Sequence, residues 1–324
     1  PAAARAPEPA YPDLADVKGQ AAARRALEIA AAGGHSLLMM GPPGSGKSML
    51  AQRFAGLLPP MDDDGALQSA AIASLDGAFD VARWGQRPTR APHHTASAVA
   101  LVGGGSPPRP GEISLADGGV RCVGEGRGGP RGALEALGGA GGSGGVGGSR
   151  AARRADFPAR FQLVAAMNPC PCGHLGQRQP ACRCTPDQIA RYQGRLSGPL
   201  LDRIDLHIEV PQLAPDELLA APAGESTASV RARCIAARAR ATARQGLPNQ
   251  ALHGQALDTH LQLDGAAAAF ASTAAARLGW SARATHRALK VARTIADLAG
   301  SQGTTVAHVA EAIQYRRALR AASR

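Results

Sequence analysis

Eight residues limit the folds open to this chain. Positions 41–48 read Gly41-Pro42-Pro43-Gly44-Ser45-Gly46-Lys47-Ser48, a complete match to G-x-x-x-x-G-K-[ST]. A loop of this kind holds phosphate only if its backbone N–H groups converge, which needs a strand before it and a helix after it. The flanks comply. Residues 36–40 (SLLMM) form a short apolar run suited to a buried strand, and the pattern is helical from 47 to about 58, before Pro59-Pro60. The glycines then let the backbone curl around a β-phosphate. Lys47 reaches the β and γ oxygens, Ser48 holds Mg²⁺, and the helix N-terminus adds its positive end.

The rest of the chain supplies a frame for such a loop. Residues 1–12 are rich in Pro and Ala and read as a linker. Residues 20–32 are helical in pattern and stop at Gly33-Gly34, a C-cap signal. Residues 161–167 (FQLVAAM) and 206–210 (LHIEV) are further buried-strand candidates, and 61–118 mix short helical pieces with Pro- and Gly-rich loops. After Pro215 the pattern turns helical, over about 226–245, 264–277, 281–299 and 304–320. The expected fold is α/β: a P-loop NTPase with a parallel sheet flanked by helices over 13–215, then an all-α lid over 216–324. A length of 324 residues suits two domains. No apolar run of about 18 residues is present, so no membrane-spanning helix is expected. The start at Pro1, without a charged-then-apolar leader, gives the expectation of a trimmed chain with no signal peptide, working in the cytoplasm.

Charge is uneven. The net charge is +11, and residues 231–324 hold fourteen Arg or Lys against four Asp or Glu. That basic segment points to a polyanion, most simply DNA. The competing reading is solvated arginine on helix surfaces, since 33 of the 36 basic residues are Arg. Aromatics make up 3% of the chain, which argues against base stacking as the main mode of binding.

Cys170, Cys172, Cys182 and Cys184 form C-x-C-x9-C-x-C. Two close pairs of thiolates can surround one tetrahedral Zn²⁺, with His174 able to replace a ligand; four free thiols are the other reading. Cys122 and Cys234 stand alone and read as inert. His93-His94 could bind metal or phosphate, but no third ligand is near in sequence and loop structure is the reading preferred.

Several segments carry a family resemblance: DLADVKGQ (13–20), ALEIAAAGGHSLLMMGPPGSGKSMLA (26–51), RPTRAPHHTAS (87–97), LVGGGSPPRPGEISLADGGV (101–120), FPARFQLVAAMNPCPCGHLG (157–176), LSGPLLDRIDLHIEV (196–210) and VARTIADL (291–298). Together they resemble the YifB/ComM group of magnesium-chelatase-like AAA+ ATPases over about residues 13–320. The resemblance implies a hexameric, ATP-driven motor, with competence-related members associated with DNA branch migration in natural transformation. Family members usually carry an additional N-terminal Lon-protease-like domain, and the expectation is that this sequence lacks it. By the same resemblance Asn168 is sensor 1, which orients the attacking water; a turn Asn before Pro169 is the plainer reading. Arg203 in LLDRID is similar to the arginine finger that reaches a neighbour's γ-phosphate. Arg283 in SARATHRAL looks like sensor 2, with Arg287 one turn later as its competitor.

One departure from the family is severe. After GGV (118–120) the family has an apolar strand ending in Asp-Glu, whose carboxylates hold the Mg²⁺ shell and polarise water. Here the text is Val120-Arg121-Cys122-Val123-Gly124-Glu125. Gly124 stands where the Asp is expected, and Glu125 keeps the second acidic position. Residues 121–148 contain 13 glycines in 28 positions. The expectation is a stretch of G-biased sequence error or decay at preserved length; a flexible linker is the alternative, and it would delete a central strand. The leading functional expectation is therefore an ATP-binding AAA+ homo-hexamer that moves DNA, hydrolysing ATP poorly as written. The ATPase subunit of a metal chelatase and a non-enzymatic nucleotide- or DNA-binding scaffold are the alternatives.

Overall fold

The computed structural model describes residues 5–90, 103–104, 109–123, 145–147, 156–158, 160–177, 180–194 and 198–321. His93, His94, Gly124 and Glu125 lie outside the described residues. The principal strands are β1 (Leu37–Met40), β2 (Thr89–Arg90), β3 (Val120–Val123), β4 (Gln162–Met167) and β5 (Leu206–Glu209). The helices are α1 (Ala21–Gly33), α2 (Lys47–Phe54), α3 (Asp63–Leu75), α4 (Pro186–Gln193), α5 (Gly198–Arg203), α6 (Pro215–Ala220), α7 (Thr227–Gln245), α8 (Gly254–Leu261), α9 (Gly265–Leu278), α10 (Ala282–Leu298) and α11 (Val306–Ala321). Among the described residues no helix is long and apolar enough to cross a membrane. The chain divides into two compact units, one of residues 1–11 and 60–203, the other of residues 12–59 and 204–324.

The second unit carries the P-loop. Its strands β1 and β5 run parallel, pairing Leu37 with Leu206 through Met40 with Glu209. All four residues of β1 are buried, as a parallel strand covered on both faces should be. Helix α1 ends where Gly34 adopts φ +80 and its N–H reaches the Ala30 carbonyl, the stop that Gly33-Gly34 signalled. Helices α7, α10 and α11 complete the core with Val230, Cys234, Val291, Ile295, Val309 and Ile313. Their starts are legible: Ser226, Asp264 and Ser281 cap α7, α9 and α10 by accepting a backbone N–H three residues on.

The first unit contains a three-stranded parallel arrangement. Strand β3 lies between β2 and β4, pairing Val120 with Thr89 on one side and Val120–Val123 with 162–165 on the other. The strand is therefore present at 120–123, against the flexible-linker alternative that would have deleted it there. Neighbours on both sides satisfy its backbone, Val120 is fully buried, and Cys122 acts as a small half-buried apolar residue. The approach is tight: a Cβ on Gly119 would sit 1.9 Å from the Pro88 carbonyl oxygen, which accepts the Val120 N–H at 2.9 Å. Within the Gly-rich stretch Gly145–Gly147 pairs antiparallel with Asp156–Pro158.

Candidate nucleotide-binding site

The P-loop connects buried β1 to α2. Gly44 and Gly46 take φ of +76 and +96, conformations that side-chain-bearing residues rarely adopt. Gly41 is fixed by space instead: a Cβ there would lie 2.1 Å from the Val210 carbonyl oxygen. Lys47 is buried, and its Nζ donates to the Gly41 and Pro42 carbonyls at 2.8 Å each, closing the ammonium over its own loop. Ser45 Oγ is buried without a hydrogen-bond partner among the described residues, while Ser48 is exposed in the first turn of α2. A buried orphan hydroxyl, a lysine on labile carbonyl contacts and an exposed hydroxyl at a helix N-terminus fit a triphosphate with Mg²⁺.

Gln20 supports this loop and was not singled out by sequence reasoning. It sits at φ +50 as the N-cap of α1, and its Nε2 donates to Ser45 O at 3.2 Å and Pro211 O at 2.6 Å. Its only sequence signal is Gly19-Gln20 directly before a helix, both in left-handed conformations. Arg53 of α2 donates to Asp13 O and pairs with Asp16, holding the segment before α1.

Behind β1 and β5 lies a buried polar network, also unanticipated. Asp205 Oδ1 accepts from Arg287 Nη1 at 2.7 Å, and Oδ2 accepts the Ser36 backbone N–H at 3.2 Å. Burial opposes the charge on Asp205, but His35 and Arg287 beside it hold the carboxyl well below the usual carboxylate range. Burial pushes His35 down while Asp205 beside it pushes it up, and its Nε2 meets Thr294 Oγ1 at 2.8 Å. Asn249 Nδ2 continues the chain to Thr294 and to Asp297, which also pairs with Arg244 and Arg293 at 2.8 Å each. Of the two sensor 2 candidates, Arg287 is engaged by Asp205, whereas Arg283 is exposed and makes no hydrogen bond or ion pair among the described residues.

The arginines of α7 do not form a free basic stripe. Arg231 donates to Leu58 O, and Arg233 pairs with Glu28 and Glu225. Arg238 donates to Ala31 O and Ala32 O at the C-terminus of α1, where a cation complements the helix dipole. Arg240 reaches Asp297 O and Arg244 the Asp297 carboxylate. The sequence could show the charge excess but not where each guanidinium points.

In the other unit Asn168 follows β4, half-buried and held by the fold, and Arg203 ends α5 half-buried with no hydrogen bond or ion pair among the described residues. Cys170, Cys172, Cys182 and Cys184 converge, their sulfurs all within 4.8 Å of one another. His174 is not part of that cluster; its Nδ1 bonds Gln177 Oε1 at 2.7 Å. Burial raises the Cys122 thiol to about 11 and Cys234 to about 12, consistent with unreactive thiols.

A P-loop after a buried parallel strand, further parallel strands and a helical C-terminal region define the class, a P-loop α/β protein of AAA+ type. The chain belongs to the magnesium chelatase family: the magnesium chelatase subunit ChlI family matches residues 13–218, and the ChlI C-terminal family matches residues 224–316. It is similar to competence protein ComM of Haemophilus influenzae, at 49% identity over 310 residues, 95% of this chain and 60% of that protein. It is likewise similar to the uncharacterized protein YifB of Escherichia coli, 49% identical over 307 residues, and of Salmonella typhimurium, 48% identical over 307 residues; each match covers 94% of this chain and 60% of that protein. The chain thus spans 60% of the length of these relatives.

Proposed function

We propose that the chain is an ATP-binding AAA+ ATPase with a catalytic region over 13–215 and a helical lid over 216–324. The observation that carries this reading is the P-loop, with its orphan Ser45 hydroxyl and the Lys47 ammonium resting on Gly41 and Pro42 carbonyls. Residues 41–48 hold the phosphates: backbone N–H groups and Lys47 neutralise the β and γ oxygens, and Ser48 is the residue for Mg²⁺. The bound Mg²⁺ supplies charge neutralisation of the phosphates. Asn168 orients the attacking water with Glu125, Arg283 senses the nucleotide from the lid, and Arg203 acts across a boundary between copies of a homo-hexamer. Gly124 offers no carboxylate to the Mg²⁺ shell, so hydrolysis by this sequence is expected to be weak. A reducing cytoplasm is the setting in which its free thiols persist.

The work proposed for the ATPase is DNA remodelling of the branch-migration kind, supported by likeness to the competence protein ComM. Each α7 arginine also makes a contact within the fold, so the basic C-terminal region proposed to meet DNA is only partly a free surface. A second reading is the ATPase subunit of a metal chelatase working on a protein partner, toward which the internal contacts of the α7 arginines weigh because they occupy part of the basic segment. ATP turnover with and without branched DNA, in the chain as it stands and in Gly124→Asp, separates them. The motor reading expects restored turnover that rises with branched DNA. Restored turnover indifferent to DNA favours the chelatase subunit, and full ATPase without repair refutes the role given to position 124.

A further inference from the structure

We infer that Cys170, Cys172, Cys182 and Cys184 hold one Zn²⁺ in a closed four-sulfur site, and that this ion fixes the backbone on which Asn168 sits. The first argument is distance. Cys170 Sγ lies 3.4 Å from Cys172 Sγ and 3.7 Å from Cys182 Sγ, and Cys172 Sγ lies 3.6 Å from Cys182 Sγ. A tetrahedron with Zn–S bonds of about 2.3 Å has edges of about 3.8 Å, so the sulfurs already stand close to the corners of such a site. All four cysteines are free, so no disulfide accounts for the convergence.

The second argument is the hydrogen bonding around the sulfurs. Backbone N–H groups of His174 and Arg183 point at Cys172, that of Cys184 at Cys182, and that of Cys172 at Cys184. Donors aimed at sulfur suit thiolates that share their charge with a cation. The Cys170-Pro171-Cys172-Gly173 turn makes this possible: Gly173 takes φ +84, and its N–H returns to the Cys170 carbonyl at 3.0 Å.

The third argument is what otherwise holds the segment. Between the end of β4 at Met167 and the start of α4 at Pro186 there is no helix or strand among the described residues. Among its described residues only Pro169, Cys170 and Gly173 are buried. An irregular stretch of that length inside a compact unit needs a fastening other than an apolar core. The first cysteine pair begins two residues after Asn168, and the second ends directly before Thr185, the residue that caps α4. One ion therefore ties the end of β4 to the start of α4. Gln193 of α4 reinforces the tie by donating to Pro169 O at 3.0 Å. Four soft thiolates with no open position select zinc in a structural role. The consequence for Asn168, unlike the site itself, rests on the nucleotide reading above.

The test begins with metal analysis of the full chain purified under reducing conditions, with Zn²⁺ and then Co²⁺ as probes. The expected result is about one zinc per chain, falling at least about fivefold in Cys182→Ser and Cys184→Ser but not in Cys122→Ser or Cys234→Ser. Co²⁺ exchange should give the intense visible bands of a tetrahedral thiolate site. Hydrogen exchange should accelerate over residues 169–185 when the ion is stripped. ATP affinity should persist while the residual turnover of the Gly124→Asp chain falls to the level of its Asn168→Ala variant. Absence of zinc, or an iron spectrum in its place, overturns the site. Unchanged exchange or unchanged turnover on stripping overturns its hold on Asn168. Loss of the nucleotide reading would appear separately, as ATP affinity indifferent to Lys47.

Discussion

The ion pair between Asp205 and Arg287 anchors α10 to the start of β5, and its removal has a calculable consequence. Asp205 is 1% exposed and Arg287 17% exposed, and their atoms lie 2.7 Å apart. Asp205→Asn keeps the shape but leaves the guanidinium without its counter-charge in a largely dry site. Breaking a buried pair from one side costs about 3–5 kcal/mol. The lower end applies here, because Arg287 keeps some contact with water. Arg287→Met should cost about as much or more, since it strands a fully buried carboxylate. The double variant should cost little more than either single one, giving a coupling of about 2–3 kcal/mol. The assay is urea unfolding in a Trp84→Phe background, where Trp280 reports only on the unit that holds the P-loop. The pH dependence has a definite sign. Asp205 is depressed in the folded state, so its contribution is complete above the ordinary aspartate value of 3.8 and is lost as pH falls below it. The gap between the parent and Asp205→Asn should therefore narrow below about pH 4. Additive single costs, or a loss under about 1 kcal/mol, would refute the claim that this pair joins α10 to β5.

Two further outcomes follow from particular contacts. Gly119→Ala should destabilise the other unit by about 3 kcal/mol or more, because its Cβ would lie 1.9 Å from Pro88 O; unfolding followed by Trp84 fluorescence checks this. Arg238→Ala should cost about 1–2 kcal/mol by uncapping the Ala31 and Ala32 carbonyls, with no change in the salt dependence of any DNA affinity measured by fluorescence anisotropy.

The parts of the fold that were legible in the sequence are those fixed by local rules. The P-loop announced the strand before it and the helix after it, Gly33-Gly34 marked the end of α1, and the helical patterns from 226, 264 and 281 began at the residues that cap α7, α9 and α10. Contacts distant in sequence were not legible. Nothing in positions 231–244 says that their guanidiniums meet helix-end carbonyls and buried carboxylates, so the charge excess read as an outward surface. Strand β3 forms although Arg121 and Cys122 weaken its apolar pattern, because its ladder partners lie 31 residues before and 42 residues after Val120, at Thr89 and Gln162. The four cysteines were visible as a spacing, but their convergence depends on the turns at Gly173 and Gly176, both at positive φ.

The central claim is that residues 41–48 bind Mg-ATP through the Lys47 ammonium and the surrounding backbone. Calorimetric titration of the full chain and of Lys47→Ala with ATP, with and without Mg²⁺, tests it most directly. The account predicts one saturable site per chain that tightens with Mg²⁺ and weakens by about 1.5–3 kcal/mol in the variant, roughly 10–150-fold in Kd. Equal affinity in the two proteins, or no binding to the parent chain, would contradict it.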